Sequence, residues 1–326
     1  MTTKMKAMVF TKYGAPDGLQ LVEVDKPMPK AGEVLVKVMA TAVNQADHHV
    51  LSGSLRFSTG LFRPKQSILG SDIAGVVEAV GPNVTQLQVG DAVFGDLSGR
   101  GRGGFAEYVA VPEAVLVSKP ANLTFPQAAA VPMTAVTALQ GLRDRGELQA
   151  GERVLINGAS GGVGSFAVQI AKALGAEVTA VASTCKLKMV QAIGADHVID
   201  YKKEDFTKTG QPYDLIFDTV GNRSVAEYGR ALGKNGRFVT TTFLPALLWR
   251  RRRDGKKMVN MMAQPNQKDL AYLAELLAAG QVNPVIDRCY PLAELPEALR
   301  YLAEGHAQGK VIITVAPIES PVLANR

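Results

Sequence analysis

Val154-Leu155-Ile156, followed by Gly158-Ala159-Ser160-Gly161-Gly162-Val163-Gly164, is the stretch that decides the fold. The apolar run is what a strand buried on both faces requires. From Val163 to Leu174 the pattern becomes helical, with Phe166, Val168, Ile170, Ala171 and Leu174 apolar, and Gly175 stands where a left-handed C-terminal cap is wanted. A second strand, Val178 to Ala182, follows. Strand, glycine loop, helix and strand form the context in which such a loop binds a dinucleotide. Glycine lets the backbone approach a pyrophosphate, and the helix N-terminus offers unpaired N–H groups and a positive dipole end. Ser160, Gly161, Gly162 and Val163 are therefore candidate cofactor ligands. The bland alternative is a tight turn that binds nothing, which a loop this rich in glycine disfavours.

Enzymes that prefer NAD place an acid about twenty residues further on, at the end of the second strand, to hold the ribose hydroxyls. Here that strand ends Val181-Ala182-Ser183-Thr184-Cys185-Lys186-Leu187-Lys188, without a carboxylate. Hydroxyls and lysines suit a 2′-phosphate, so NADPH is the expected cofactor. Ser183, Thr184 and Lys188 are its candidate ligands, with Lys186 as the alternative lysine. Helix capping by Ser183 or Thr184 is compatible with this role.

Outward from the loop, strand and helix alternate. Lys186 to Ile193, Ser224 to Leu232, Gln267 to Ala279 and Leu295 to Glu304 read as helices. His197 to Ile199, Asp214 to Phe217, Arg237 to Thr240 and Lys310 to Val315 read as strands. This repetition predicts an α/β protein with a doubly wound parallel sheet. The first 120 residues differ: short strands such as Val34 to Val38 and Ala74 to Val80 are punctuated by Gly-Pro-Asp turns, as in a small barrel-like β domain. The expected domains are 1–124, completed by 285–326, and 125–284.

Composition narrows the class. The 326 residues are 47% hydrophobic and 20% charged, which excludes wholesale disorder. The net charge of +6 is modest, and much of it is explained by Arg250 to Arg253. That run reads as a solvated helix face, and no nucleic acid is expected. With two cysteines and no CxxC, disulfide scaffolds and multi-thiolate zinc sites are excluded. No signal peptide and no stretch of the ~20 apolar residues that span a bilayer is found, so a cytoplasmic protein without integral membrane association is expected.

The motifs Ala42-Val43-Asn44-Gln45-Ala46-Asp47, Leu69-Gly70-Ser71-Asp72-Ile73-Ala74-Gly75, Gly90-Asp91-Ala92-Val93-Phe94-Gly95 and Gly103-Gly104-Phe105-Ala106-Glu107-Tyr108-Val109 follow one another. Gly194-Ala195-Asp196-His197-Val198-Ile199-Asp200-Tyr201, Phe217-Asp218-Thr219-Val220-Gly221 and Gly305-His306-Ala307-Gln308-Gly309-Lys310 complete the series. In this order they resemble the zinc-independent, zeta-crystallin-like quinone oxidoreductases of the medium-chain dehydrogenase/reductase superfamily. The resemblance implies a GroES-like β domain built from both chain ends, an inserted Rossmann domain, a nicotinamide cofactor and a homodimer. Zinc-dependent relatives have Cys where this chain has Asn44 and His-Glu where it has Ser71-Asp72, and neither Asn nor Ser is a good zinc ligand. No metal is therefore expected. Hydride transfer to a quinone or an α,β-unsaturated carbonyl needs none, because the electrophilic carbon accepts hydride directly and donors stabilise the resulting oxyanion.

The resemblance places Asn44 beside the nicotinamide, although Asn44 also reads as a helix N-cap paired with Asp47. It places His49 where some relatives carry a substrate-facing tyrosine, and Tyr13 in a loop bordering the substrate site. Exposed surface side chains are the plain readings of both. Thr134 matches a threonine near the cofactor, or is a helix-start hydroxyl. Tyr201 matches a tyrosine packed on the 2′-phosphate region, or covers a sheet edge. Val220, Thr242 and Phe243 end later parallel strands, outside which ligands bind. Lys310 reaches the cofactor or solvates a strand start. The expected activity is NADPH-dependent reduction of a quinone or enone. A zinc-free alcohol or aldehyde reductase, and a non-catalytic NADPH-binding redox-responsive protein, are the alternatives that a turnover panel separates.

Overall fold

The computed structural model describes residues 3–65, 67–99, 101–248, 252–253 and 255–316. The chain divides into two compact units, one of Met1–Pro132, Pro265–Ala274 and Ile286–Arg326, the other of Met133–Gln264 and Glu275–Val285. Relative to the expected boundaries, 125–132 and 265–274 cluster with the first unit.

In the second unit the parallel strands are ordered His197–Asp200, Glu177–Ala182, Arg153–Asn157, Tyr213–Asp218, Leu232–Thr240 and Lys256–Asn260. In chain order this is the 3-2-1-4-5-6 arrangement of a Rossmann sheet, whose switch point lies between Arg153–Asn157 and Tyr213–Asp218. The helix after the glycine loop, Gly162–Ala173, ends as its sequence demands. Gly175 adopts φ +82°, Ala176 N donates to Ala171 O and Gly175 N to Lys172 O, the paired bonds of a Schellman cap. The strand Lys256–Asn260 lies beyond the expected set, and Arg252–Arg253 pair antiparallel with Lys256–Lys257. This corrects the helix-face reading of the arginine run for those two residues, and Trp249 to Arg251 lie outside the described residues.

The first unit holds a sheet ordered Ile286–Pro291, Lys310–Thr314, Glu33–Ala42, Asp72–Val80, Ala92–Asp96 and Leu116–Ser118, with Tyr108–Pro112 also pairing with Glu33–Ala42. Val34, Val36 and Val38 alternate into a core with Ile73, Val77, Val93 and Val111. The C-terminal strand Lys310–Thr314 pairs antiparallel with Glu33–Ala42, which completes this β unit from both chain ends. That closure sets up the polar site. Asp72 and Lys310 begin the two strands that flank Glu33–Ala42, and Asn44 follows its end.

Candidate active site

In the second unit, Gly158 leaves its strand at φ +84°, and an added Cβ would lie 2.4 Å from Thr219 Oγ1. At Gly164 a Cβ would meet Gly158 O at 2.1 Å, so the helix lies directly on the loop backbone. Gly161 caps Gly162–Ala173 with extended backbone. The N–H groups of a first helical turn have no intrahelical acceptor and suit an anion. Ser160 is buried, while Gly161, Gly162 and Val163 are half-buried. Thr134 is buried at the start of the helix Pro132–Leu139.

The switch point is organised by a residue that was not among the site residues expected from the sequence. Asp218 is 0% exposed and ends an apolar strand. Its Oδ1 accepts from Asn157 Nδ2 at 2.7 Å and Tyr228 Oη at 2.9 Å, and its Oδ2 accepts from Thr240 Oγ1 at 2.8 Å and Gly221 N at 3.0 Å. Val220 N donates to Oδ1 at 3.3 Å. Burial, followed by the Asp218 charge, raises the Tyr228 pKa, so this phenol stays a donor. One carboxylate thus ties the ends of three neighbouring strands to the Val220-Gly221 turn. An acid at the end of the apolar run Leu215-Ile216-Phe217 was the available signal, since a buried charge must be satisfied. Around this network Val220 and Phe243 are exposed, and Thr242 N is held by Thr240 Oγ1 at 3.0 Å.

At the end of the second strand Ser183 is buried, Thr184 and Lys188 are exposed, and Lys186 is buried. Tyr201 N donates to Ala182 O, which brings the half-exposed tyrosine to this loop. An acid is present after all. Asp200, from the third strand, accepts from Thr184 Oγ1 at 2.6 Å and from Lys202 N at 3.0 Å. The Thr184 hydroxyl, first among the causes, lowers the Asp200 pKa. Both oxygens of this carboxylate are engaged by the protein, and Thr184 serves as its donor.

In the first unit, Asn44, Asp72 and Lys310 form one buried network. Lys310 Nζ donates to Asn44 Oδ1 at 2.6 Å and to Asp72 Oδ2 at 3.2 Å, and Asn44 Nδ2 donates to the same Asp72 oxygen at 3.0 Å. Lys310 is only 2% exposed, which corrects its reading as a solvated strand start. Asn44 does precede the helix Gln45–Leu51, and its N–H donates to Asp47 Oδ2 at 2.9 Å. Burial pushes the Asp47 pKa up to about 6, against the hydrogen bonds it accepts. Asp96, the cross-strand partner of Asp72, is also pushed up to about 6, first by burial and then by the Asp72 charge. His49 is exposed on the same short helix. Tyr13 Oη donates to Gly60 O at 2.6 Å and touches Thr59 Oγ1 at 3.0 Å. Its only hydroxyl proton is committed, so Tyr13 pins this loop and is a poor proton donor.

These residues do not fit a zinc ion. The positions that carry ligands in zinc-dependent relatives hold an amide engaged with both Lys310 and Asp72, the Ser71 hydroxyl, and a carboxylate paired to an ammonium. Among the described residues, no group of His, Cys, Asp or Glu is arranged to hold a metal ion. None of their helices is long and apolar enough to cross a membrane.

Residues 30–121 match the alcohol dehydrogenase GroES-like domain, and residues 193–313 match the family described as zinc-binding dehydrogenase. The chain is 32% identical to the chloroplast envelope quinone oxidoreductase homolog of Arabidopsis thaliana, over 95% of this chain and 98% of that one. It is 34% identical to the chloroplastic NADPH-dependent alkenal/one oxidoreductase of the same plant, over 96% and 80%. The solved quinone oxidoreductase of Coxiella burnetii superposes with a TM-score of 0.86 at 30% identity, over 96% of this chain and 100% of that one. With its GroES-like and Rossmann units and a nicotinamide-dependent relationship along nearly its whole length, the chain belongs to the zinc-independent quinone oxidoreductases of the medium-chain dehydrogenase/reductase superfamily.

Proposed function

We propose that this chain is an NADPH-dependent oxidoreductase that delivers hydride to a quinone or an α,β-unsaturated carbonyl without a metal ion. The observation that carries this reading is the buried Asn44–Asp72–Lys310 network at the positions of a metal site. The activities named for the plant and bacterial relatives point to the same chemistry. When bound, the cofactor supplies the hydride, and the chain's residues supply the rest. The N–H groups at Gly162 and Val163 receive the pyrophosphate, while the Gly161 N–H donates to Gly158 O at 3.1 Å and closes the turn beneath it. Ser183, Lys188 and Tyr201 form the 2′-phosphate pocket, with Thr184 supporting it through Asp200. Val220, Thr242 and Phe243 border the nucleotide crevice, where the Asp218 network fixes the backbone. Thr134, buried at the start of its helix, is the remaining proposed cofactor contact.

On the substrate side, Asn44 offers the amide hydrogen not given to Asp72 to the oxygen that becomes negative as hydride arrives at carbon, and His49 is an exposed donor nearby in sequence. The final proton comes from solvent. A cytoplasmic homodimer completes the proposal. The experiment is a panel of enones, quinones, aldehydes and alcohols monitored by NADPH absorbance. Turnover confined to enones and quinones supports the reading, and turnover confined to aldehydes or alcohols overturns it.

A further inference from the structure

We infer that the ammonium of Lys310 is the counter-charge of the buried Asp72 carboxylate and a positioning residue for Asn44. This rests on the proposed function for its kinetic consequence, and on geometry for the rest. Asp72 is 0% exposed, and a buried carboxylate without a counter-charge is strongly disfavoured. Lys310 Nζ lies 3.2 Å from it and is itself buried. The same ammonium gives a hydrogen bond to Asn44 Oδ1 at 2.6 Å.

An ammonium only donates and a carboxylate only accepts. Lys310 and Asp72 together therefore allow the Asn44 amide one of its two flip states, Oδ1 toward Lys310 and Nδ2 toward Asp72. In that state one Nδ2 hydrogen goes to Asp72, while the other has only a long 3.4 Å contact with Ala42 O. That second hydrogen is the one available to a substrate oxygen. The Ser71 Oγ, buried and without a hydrogen-bond partner among the described residues, adds a neutral group where zinc-dependent relatives have histidine. The site is thus built around a fixed organic cation.

A merely structural ion pair makes a different prediction from a positioning one. Replacing both charges of a buried pair by neutral groups is often tolerated by the fold. Lys310→Met and the double variant Lys310→Met/Asp72→Asn are compared with wild type in NADPH binding and in steady-state reduction of an enone. In the double variant we expect kcat to fall at least about 30-fold with the NADPH Kd within about threefold, because the amide loses its orientation. In Lys310→Ala, added methylammonium should restore at least about tenfold of the lost kcat, whereas in Asn44→Ala it should restore nothing. A double variant with wild-type kcat, or no rescue of a folded Lys310→Ala, overturns the proposal. If wild type reduces no enone or quinone, the proposed function fails separately. The positioning then stands or falls on the ¹⁵N spectrum. A slowly exchanging Asn44 side-chain amide pair in wild type that is lost in the double variant supports it, and a pair unchanged in the double variant overturns it.

Discussion

Ser183 and Lys188 stand where one charge-assisted contact decides between two cofactors. A preference for NADPH of about tenfold needs only ~1.4 kcal/mol. A single lysine–phosphate hydrogen bond contributes about 1.5–3 kcal/mol. Lys188→Ala is expected to weaken NADPH about tenfold and leave NADH nearly unchanged, measured as Kd at fixed ionic strength because salt screens the contact. Ser183→Asp is expected to reverse the preference. A Lys188→Ala loss shared equally by both cofactors would assign the phosphate to another residue. The glycine loop and the Ser183-Thr184 ending were legible because they are contiguous in sequence. Asp200 was not, because a search along the second strand cannot see an acid delivered across the sheet by the third. The Lys310 partners escaped for the same reason, being separated from it by 238 and 266 positions.

The elements carry the next set of consequences. Gly164 is where the cofactor helix meets the loop, and its Cβ would fall 2.1 Å from Gly158 O. Gly164→Ala is expected to cost about 1–3 kcal/mol of stability from overpacking, and to weaken NADPH at least about tenfold by lifting the helix from the strand. Urea melts and fluorescence titration check both. At the switch point, Asp218→Ala strands several buried donors, and a loss of about 3–5 kcal/mol is expected. In the β unit Asp96 links stability to pH. Its folded pKa of about 6 lies above that of the unfolded chain, near 3.8, so folding takes up a proton between these values. Its contribution is fully present below the lower value and is lost as pH rises through about 6. The gap corresponds to about 3 kcal/mol. Relative to wild type, Asp96→Asn should therefore gain about 2–3 kcal/mol between pH 3.5 and pH 8 in urea melts. A pH-independent difference would place the proton elsewhere. The helix after the loop and its cap were readable from local pattern. The strands Lys256–Asn260 and Ile286–Pro291 were not, since both are polar, although Asp254-Gly255 and Asn283-Pro284 just before them are turn signals.

For the whole molecule, the order of motifs along the chain carried the family and the pairing of β and Rossmann units. The boundaries shifted because Phe125 to Pro132 and Pro265 to Ala274 make their contacts with the β unit, which no linker composition marks. Light scattering is expected to give twice the chain mass across a wide concentration range, and a monomer mass throughout would remove the dimer. The central claim is metal-free hydride transfer from NADPH to a conjugated carbonyl, with Lys310 and Asp72 holding the Asn44 amide. Its most direct test is NADPH oxidation, with and without an enone, by protein dialysed against a chelator and analysed for zinc. The account predicts enone-dependent oxidation at an undiminished rate with no stoichiometric zinc, whereas one zinc per chain and activity abolished by the chelator would contradict it.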